Sequence, residues 1–69
     1  MIEVFKTNVS GVTQARKLIK LLLRHLPGSR VNIDLHDCDK ILRVEAAYFA
    51  PAAVMTLVQE HGFVCSVLE

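Results

Sequence analysis

The spacing of apolar residues along this chain of 69 residues switches between a two-residue and a helical period, and the order of those switches restricts the fold more than any single motif. Ile2 to Lys6 alternates apolar and polar residues and reads as a strand, with Ile2 and Val4 expected on the covered face and Phe5 on the other. Ser10 is the expected N-cap of a helix, because its hydroxyl can accept from the free amides of the first turn. From Val12 onward, Ala15, Leu18, Ile19, Leu22, Leu23 and Leu26 recur at helical spacing, and Val12 and Leu22 are expected in the core. Leu26-Pro27-Gly28 ends that helix, since proline cannot continue it and glycine suits a left-handed exit.

Val31 to His36 alternates again, with Val31, Ile33 and Leu35 on the covered face. Asp37-Cys38-Asp39-Lys40 is a polar turn. Ile41 to Glu45 returns as a second strand of a hairpin, with Leu42 and Val44 inward. Pro51 suits the first turn of a second helix, which buries Val54, Leu57 and Val58 and ends at His61-Gly62. Phe63 to Leu68 makes the last strand. The order is strand, helix, strand, strand, helix, strand. Two strand–helix–strand crossovers of this kind interleave into one four-stranded antiparallel sheet with both helices on one face. The expected fold is thus a ferredoxin-like βαββαβ sandwich of class α+β, forming one domain over residues 1–69.

Composition narrows the function. A formal charge of +1 argues against a nucleic-acid binder acting through bulk charge, and no pair of exposed aromatics is expected on the central strands. Two cysteines, Cys38 and Cys65, are too few for a disulfide-built secreted scaffold. The opening residues lack a basic leader followed by an apolar run, and no apolar stretch approaches the roughly 20 residues that span a bilayer. A reduced cytoplasmic setting without membrane attachment is expected. No serine or cysteine has a neighbouring base, and there is no glycine-rich phosphate loop, so the chain is not read as an enzyme and no cofactor is expected.

With these elements in place the chain resembles the heavy-metal-associated domain, the family of small copper chaperones and of N-terminal modules in metal-pumping ATPases. The marks of the resemblance are Leu26-Pro27-Gly28, Val31-Asn32-Ile33-Asp34-Leu35, Pro51 at the second helix start and the ending His61-Gly62-Phe63. The family's first loop carries Met-x-Cys-x-x-Cys, whose thiolates hold Cu(I) or Zn(II). Counting back from Leu26-Pro27-Gly28 puts that methionine at Ser10 and the cysteines at Val12 and Ala15, neither of which can donate to a metal. The resemblance therefore implies the scaffold without its metal site, Val12 and Ala15 serving as packing. Asn8, Ser10 and the helix N-terminus are an alternative small site for an anion or polar ligand.

His36, Cys38 and His61 are the candidate ligands of a different metal site, since the hairpin turn and the His61-Gly62 turn are expected at the same end of the sheet as the first loop. One thiolate with two imidazoles suits Zn(II). Cys65 alternates with Phe63 and Val67 and is expected as an inert buried thiol. Arg16, Lys17, Lys20 and Arg24 give the first helix a basic outer face without a balancing acid. Phe5, Ile41, Val64 and Leu68 are expected to form an apolar strip on the open sheet face. A homodimer or a protein partner is expected through that face or through the basic first helix. The sequence reads as a small non-enzymatic binding or interaction module on a heavy-metal-associated scaffold with a lost thiolate site. The alternative is a heavy-metal-binding protein centred on His36 and Cys38.

Overall fold

The phase of β1 (Ile2–Thr7) decides which residues become core. In the computed structural model, which describes residues 1–68, Phe5 is fully buried and Thr7 is buried beside it, while Ile2 is 49% exposed. This is the reverse of the expected phase, in which Ile2 and Val4 face the helices. The reason lies in what each phase would have to bury. Choosing Ile2 and Val4 would carry Lys6 inward, and a buried ammonium without a partner is costly. Choosing Phe5 carries Thr7 inward instead, and the Thr7 hydroxyl is satisfied: it donates to the Lys40 carbonyl and accepts from the Val9 amide. Glu3, on the same face, is only half-buried.

α1 (Val12–His25) follows, with Gly11 as its N-cap in extended backbone. Ser10 is not the cap. It lies one residue further out, where both its amide and its hydroxyl donate to Gln14 Oε1, at 3.1 and 3.2 Å. Ala15, Leu18 and Leu22 are the buried residues of α1. Val12 is 58% exposed and Leu23 is 40% exposed, so neither belongs to the core stripe the apolar spacing predicts. A helix lying on one sheet buries only a stripe, and Leu21-Leu22-Leu23 is wider than that stripe. Leu21 packs half-buried at its edge. Gly28, with φ at +82°, makes the left-handed exit after Leu26.

β2 (Arg30–Asp34) and β3 (Ile41–Glu45) form the expected hairpin, with Leu42 and Val44 buried and Val31 and Ile33 packed against the core. α2 (Pro51–Glu60) starts with proline in its first turn and buries Val54 and Val58, while Leu57 is half-buried. β4 is shorter than the period suggests: it covers Cys65–Val67 and not Phe63 to Leu68.

The class is α+β, with two helices and one four-stranded antiparallel sheet in the order β2-β3-β1-β4. β1 and β3 are central, and Phe5 sits between Leu42 on one side and Val67 on the other. These join Ala15, Leu18, Leu22, Val54 and Val58 in one cluster, so both helices cover the same face. Glu69, at the end of the expected 1–69 domain, lies outside the described residues. Among the described residues no helix is long and apolar enough to cross a membrane.

The open face differs from expectation as a consequence of the β1 phase. Phe5 is absent from it, so the strip of Phe5, Ile41, Val64 and Leu68 does not form. Val4 lies there between Arg43 and Leu68, and Ile41 lies beside Asp34. Arg30, Asn32, Arg43 and Glu45 group together on the same side. Charged and polar side chains interrupt the apolar ones, as on an ordinary solvated sheet face.

Candidate functional site

Three loops meet at the end of the sheet where β1 finishes. The Thr7 amide donates to the Asp39 carbonyl at 3.0 Å, fixing the hairpin turn beside the first loop. The Val64 amide donates to Asn8 Oδ1 at 2.8 Å, fixing the loop before β4 to the same place. The convergence expected from the element order is therefore present. The polar groups that bring it about are engaged within the chain, however. Asn8 Oδ1 accepts from Val64, and the Ser10 amide and hydroxyl both donate to Gln14, whereas the Asn8 side-chain NH2 has no hydrogen-bond partner among the described residues.

At the two positions where the resemblance to the heavy-metal-associated domain would put cysteines, the structure places an exposed Val12 and a buried Ala15. Neither offers a donor atom. Ala15 supports the packing reading, whereas Val12 lies outside the core in the first turn of α1.

The candidate metal ligands separate. Among the described residues the one group of three or more histidine, cysteine or acidic residues whose donor atoms all lie within 4.8 Å of one another is Asp37, Cys38 and Asp39. His36 and His61 are not members of that group. His36 is exposed, and its amide donates to Asp34 Oδ1 at 3.0 Å. The Asp37 carboxylate accepts from the Asp39 amide at 2.8 Å, a bond internal to the turn. Asp39 lies 3.7 Å from Lys6 Nζ, and the Lys40 ammonium donates to the Leu35 carbonyl. Both carboxylates thus have roles in shaping the turn. Cys38 is a free, exposed thiol.

His61 belongs to another part of the surface. Its Nδ1 donates to the Leu57 carbonyl at 2.9 Å, holding the ring against the end of α2. The ring faces a groove of about 490 Å³ between α1 and the turn that follows α2. Leu18, Leu21 and Phe63 supply apolar lining. Lys17, Lys20 and Arg24 stand along the α1 wall, with His61 on the opposite one. All three cations are exposed, and Lys6–Asp39 is the ion pair found among the described residues, so none of the three is neutralised by an acid of this chain. α1 itself contains no acidic residue.

The basic helix was legible from the positions of Arg16, Lys17, Lys20 and Arg24. The groove beside it was not, because its other wall comes from residues some 40 positions further along the chain. The usable signal was the surplus width of Leu21-Leu22-Leu23, which leaves Leu21 at the margin of the buried stripe.

Cys65 lies on the inward face of β4, 3% exposed, and burial raises its thiol from an ordinary 9.0 to about 11. Such a thiol stays protonated and unreactive near neutral pH. Compared with known proteins, the chain matches no family model, no curated protein and no solved structure.

Proposed function

We propose that this chain is a non-enzymatic binding module whose working surface is the basic face of α1 and the groove beside it. The observation that carries the reading is the coincidence of an apolar floor, Leu18, Leu21 and Phe63, with three unpaired cations, Lys17, Lys20 and Arg24, and a histidine. Each half of that arrangement is ordinary alone. Exposed lysines solubilise, and a shallow groove between helices is a common packing feature. Together they present desolvatable area beside a field of one sign, which is how a surface both holds and selects a partner.

The scaffold is read as a ferredoxin-like sandwich, a reading supported by β1 and β2 flanking β3 and by β3 and β4 flanking β1, so that each strand–helix–strand unit steps over one strand. Its heavy-metal-associated type rests on the sequence resemblance alone. In this reading the thiolate site is lost at Val12 and Ala15, and a solvated binding face has taken over. A second reading, metal binding around His36 and Cys38, draws support from the approach of the Asp37 and Asp39 carboxylates to Cys38.

Equilibrium dialysis of the reduced protein against Cu(I) and Zn(II), with bound metal counted by mass spectrometry, separates the two. The expected outcome is no Cu(I) retained against a moderate competing chelator. Any Zn(II) binding should be weak, should fall as acid protonates the ligands, and should vanish in Cys38→Ser. Stoichiometric metal that survives competition and depends on Cys38 would replace the first reading with the second.

A further inference from the structure

We infer that the occupant of the α1 groove is an amphipathic helix of a partner protein, with an acidic row beside its apolar one. The inference rests on the binding-module reading and specifies its partner. Three observations lead to it.

The first is charge. The wall formed by α1 carries Lys17, Lys20 and Arg24 without an acid, and the facing wall, with His61 and Phe63, contributes no acid either. An occupant with acidic side chains on the α1 side gains several charge contacts, while a basic one is repelled. The second is shape. From Gln14 to Arg24 the groove follows α1 for about 15 Å, and its whole empty volume of about 970 Å³ then corresponds to a cross-section of about 65 Å², less than the roughly 80–110 Å² of a helix with its side chains. A whole helix is about 10–12 Å across and cannot sink into such a slot. A row of side chains can. Four apolar residues at i, i+3 or i+4, i+7, and i+10 or i+11 match that length of about 15 Å.

The third is backbone accounting. The residues lining the groove belong to α1 and to the turn after α2, so an occupant lying over Leu18, Leu21 and Phe63 has no strand among them to pair with. An extended segment would leave backbone amides and carbonyls facing apolar side chains, whereas a helix satisfies its own. A flat anionic surface would reach the projecting cations and leave the recessed floor uncovered. A second groove, between α1 and α2, is lined by Leu22, His25, Leu57 and Glu60; it holds an acid and no lysine or arginine, and lacks this selectivity.

The test is selection of a displayed library of random 16-residue peptides against the full chain, followed by fluorescence anisotropy and amide chemical-shift mapping with the strongest binders. The inference expects acid-rich sequences with apolar residues at helical spacing, shifts centred on Leu18, Leu21 and Phe63, and at least a tenfold loss of affinity on two changes. One is a proline placed mid-peptide. The other is the double variant Lys20→Glu with Arg24→Glu, both exposed positions, with thermal melting checking that the fold persists. Acidic binders that tolerate proline, or lack a helical period, overturn the helical occupant and leave the basic binding face standing. Shifts centred on the open sheet face overturn the groove. Vesicles of phosphatidylcholine with phosphatidylserine, or a duplex oligonucleotide, that bind more tightly than every selected peptide and lose affinity in the double variant overturn the protein partner. A selection that yields no peptide dependent on Lys20 and Arg24 overturns both the helix and the binding-module reading.

Discussion

The two cysteines illustrate how little a residue's identity says before its surroundings are known. Cys38 sits exposed in a polar turn and Cys65 lies on the covered face of β4. Alkylation of the native protein should therefore modify Cys38 first, and Cys65 only as the chain opens. Mass spectrometry of a timed reaction reads this directly, and rapid double labelling would place Cys65 wrongly. The raised thiol of Cys65 also sets a pH dependence. Between its ordinary value of 9.0 and about 11 the unfolded chain releases this proton while the folded chain retains it. The folded state then binds more protons than the unfolded one, so the thiol's contribution lowers stability as pH rises through that window. Below pH 9 the penalty is absent. Denaturant unfolding at a series of alkaline pH values should show a steeper loss in the native sequence than in Cys65→Ala, measured against each protein's own stability at neutral pH.

Within the elements, the decisive matter is which side of each period is covered. Leu22 is fully buried in the middle of α1, and Leu22→Ala should cost about 2–5 kcal/mol. In a domain whose total stability is of the order of 5 kcal/mol, that is enough to populate the unfolded state heavily. Val12→Ala should change stability by about 0.5 kcal/mol or less, since Val12 is mostly in solvent. Urea midpoints of the two variants make the comparison, and equal losses would mean that Val12 packs where the structure leaves it exposed. β1 gives the sharper case. With Phe5 on the open face, Phe5→Glu would leave the fold intact. With Phe5 buried between Leu42 and Val67, the same change puts a carboxylate into the core and should abolish cooperative unfolding. A cooperative thermal transition in Phe5→Glu would restore the original phase.

At the scale of the whole molecule, a few polar contacts hold distant parts of the chain together at the loop end. Asn8 and Val64 are 56 positions apart in sequence, and their bond ties the first loop to the entry of β4. The short β4 pairs with β1, and Gln59 Nε2 donates to the Cys65 carbonyl at 3.1 Å, so Asn8 is one of two side chains that anchor this strand and its entry. Asn8→Ala should cost about 0.5–1.5 kcal/mol and should raise hydrogen exchange at Val64 and along β4 more than along β3. Uniform acceleration through the sheet would show that the contact supports the fold globally and not the last strand in particular. Thr7→Val removes a buried hydroxyl that joins β1 to the hairpin turn and leaves the Val9 amide without its acceptor. A loss of about 1–3 kcal/mol is expected by denaturant unfolding.

Element order, the proline and glycine punctuation of both helices, the hairpin, the inward Leu42 and Val44, the burial of Cys65 and the basic row on α1 are all determined by sequence alone. Each follows from a local period or from a backbone preference that no distant residue has to complete. The phase of β1 was decided by the tertiary structure, because burying Lys6 with Ile2 and Val4 can be weighed against burying Thr7 with Phe5 only once the Lys40 carbonyl is in place to satisfy the Thr7 hydroxyl. The exposure of Val12 and Leu23 was decided the same way, by how narrow a stripe of α1 the sheet can cover. So was the groove, whose walls come from opposite ends of the sequence. Local chemistry chooses helix, strand and turn, but which face of each is dry depends on partners that only the folded chain brings near.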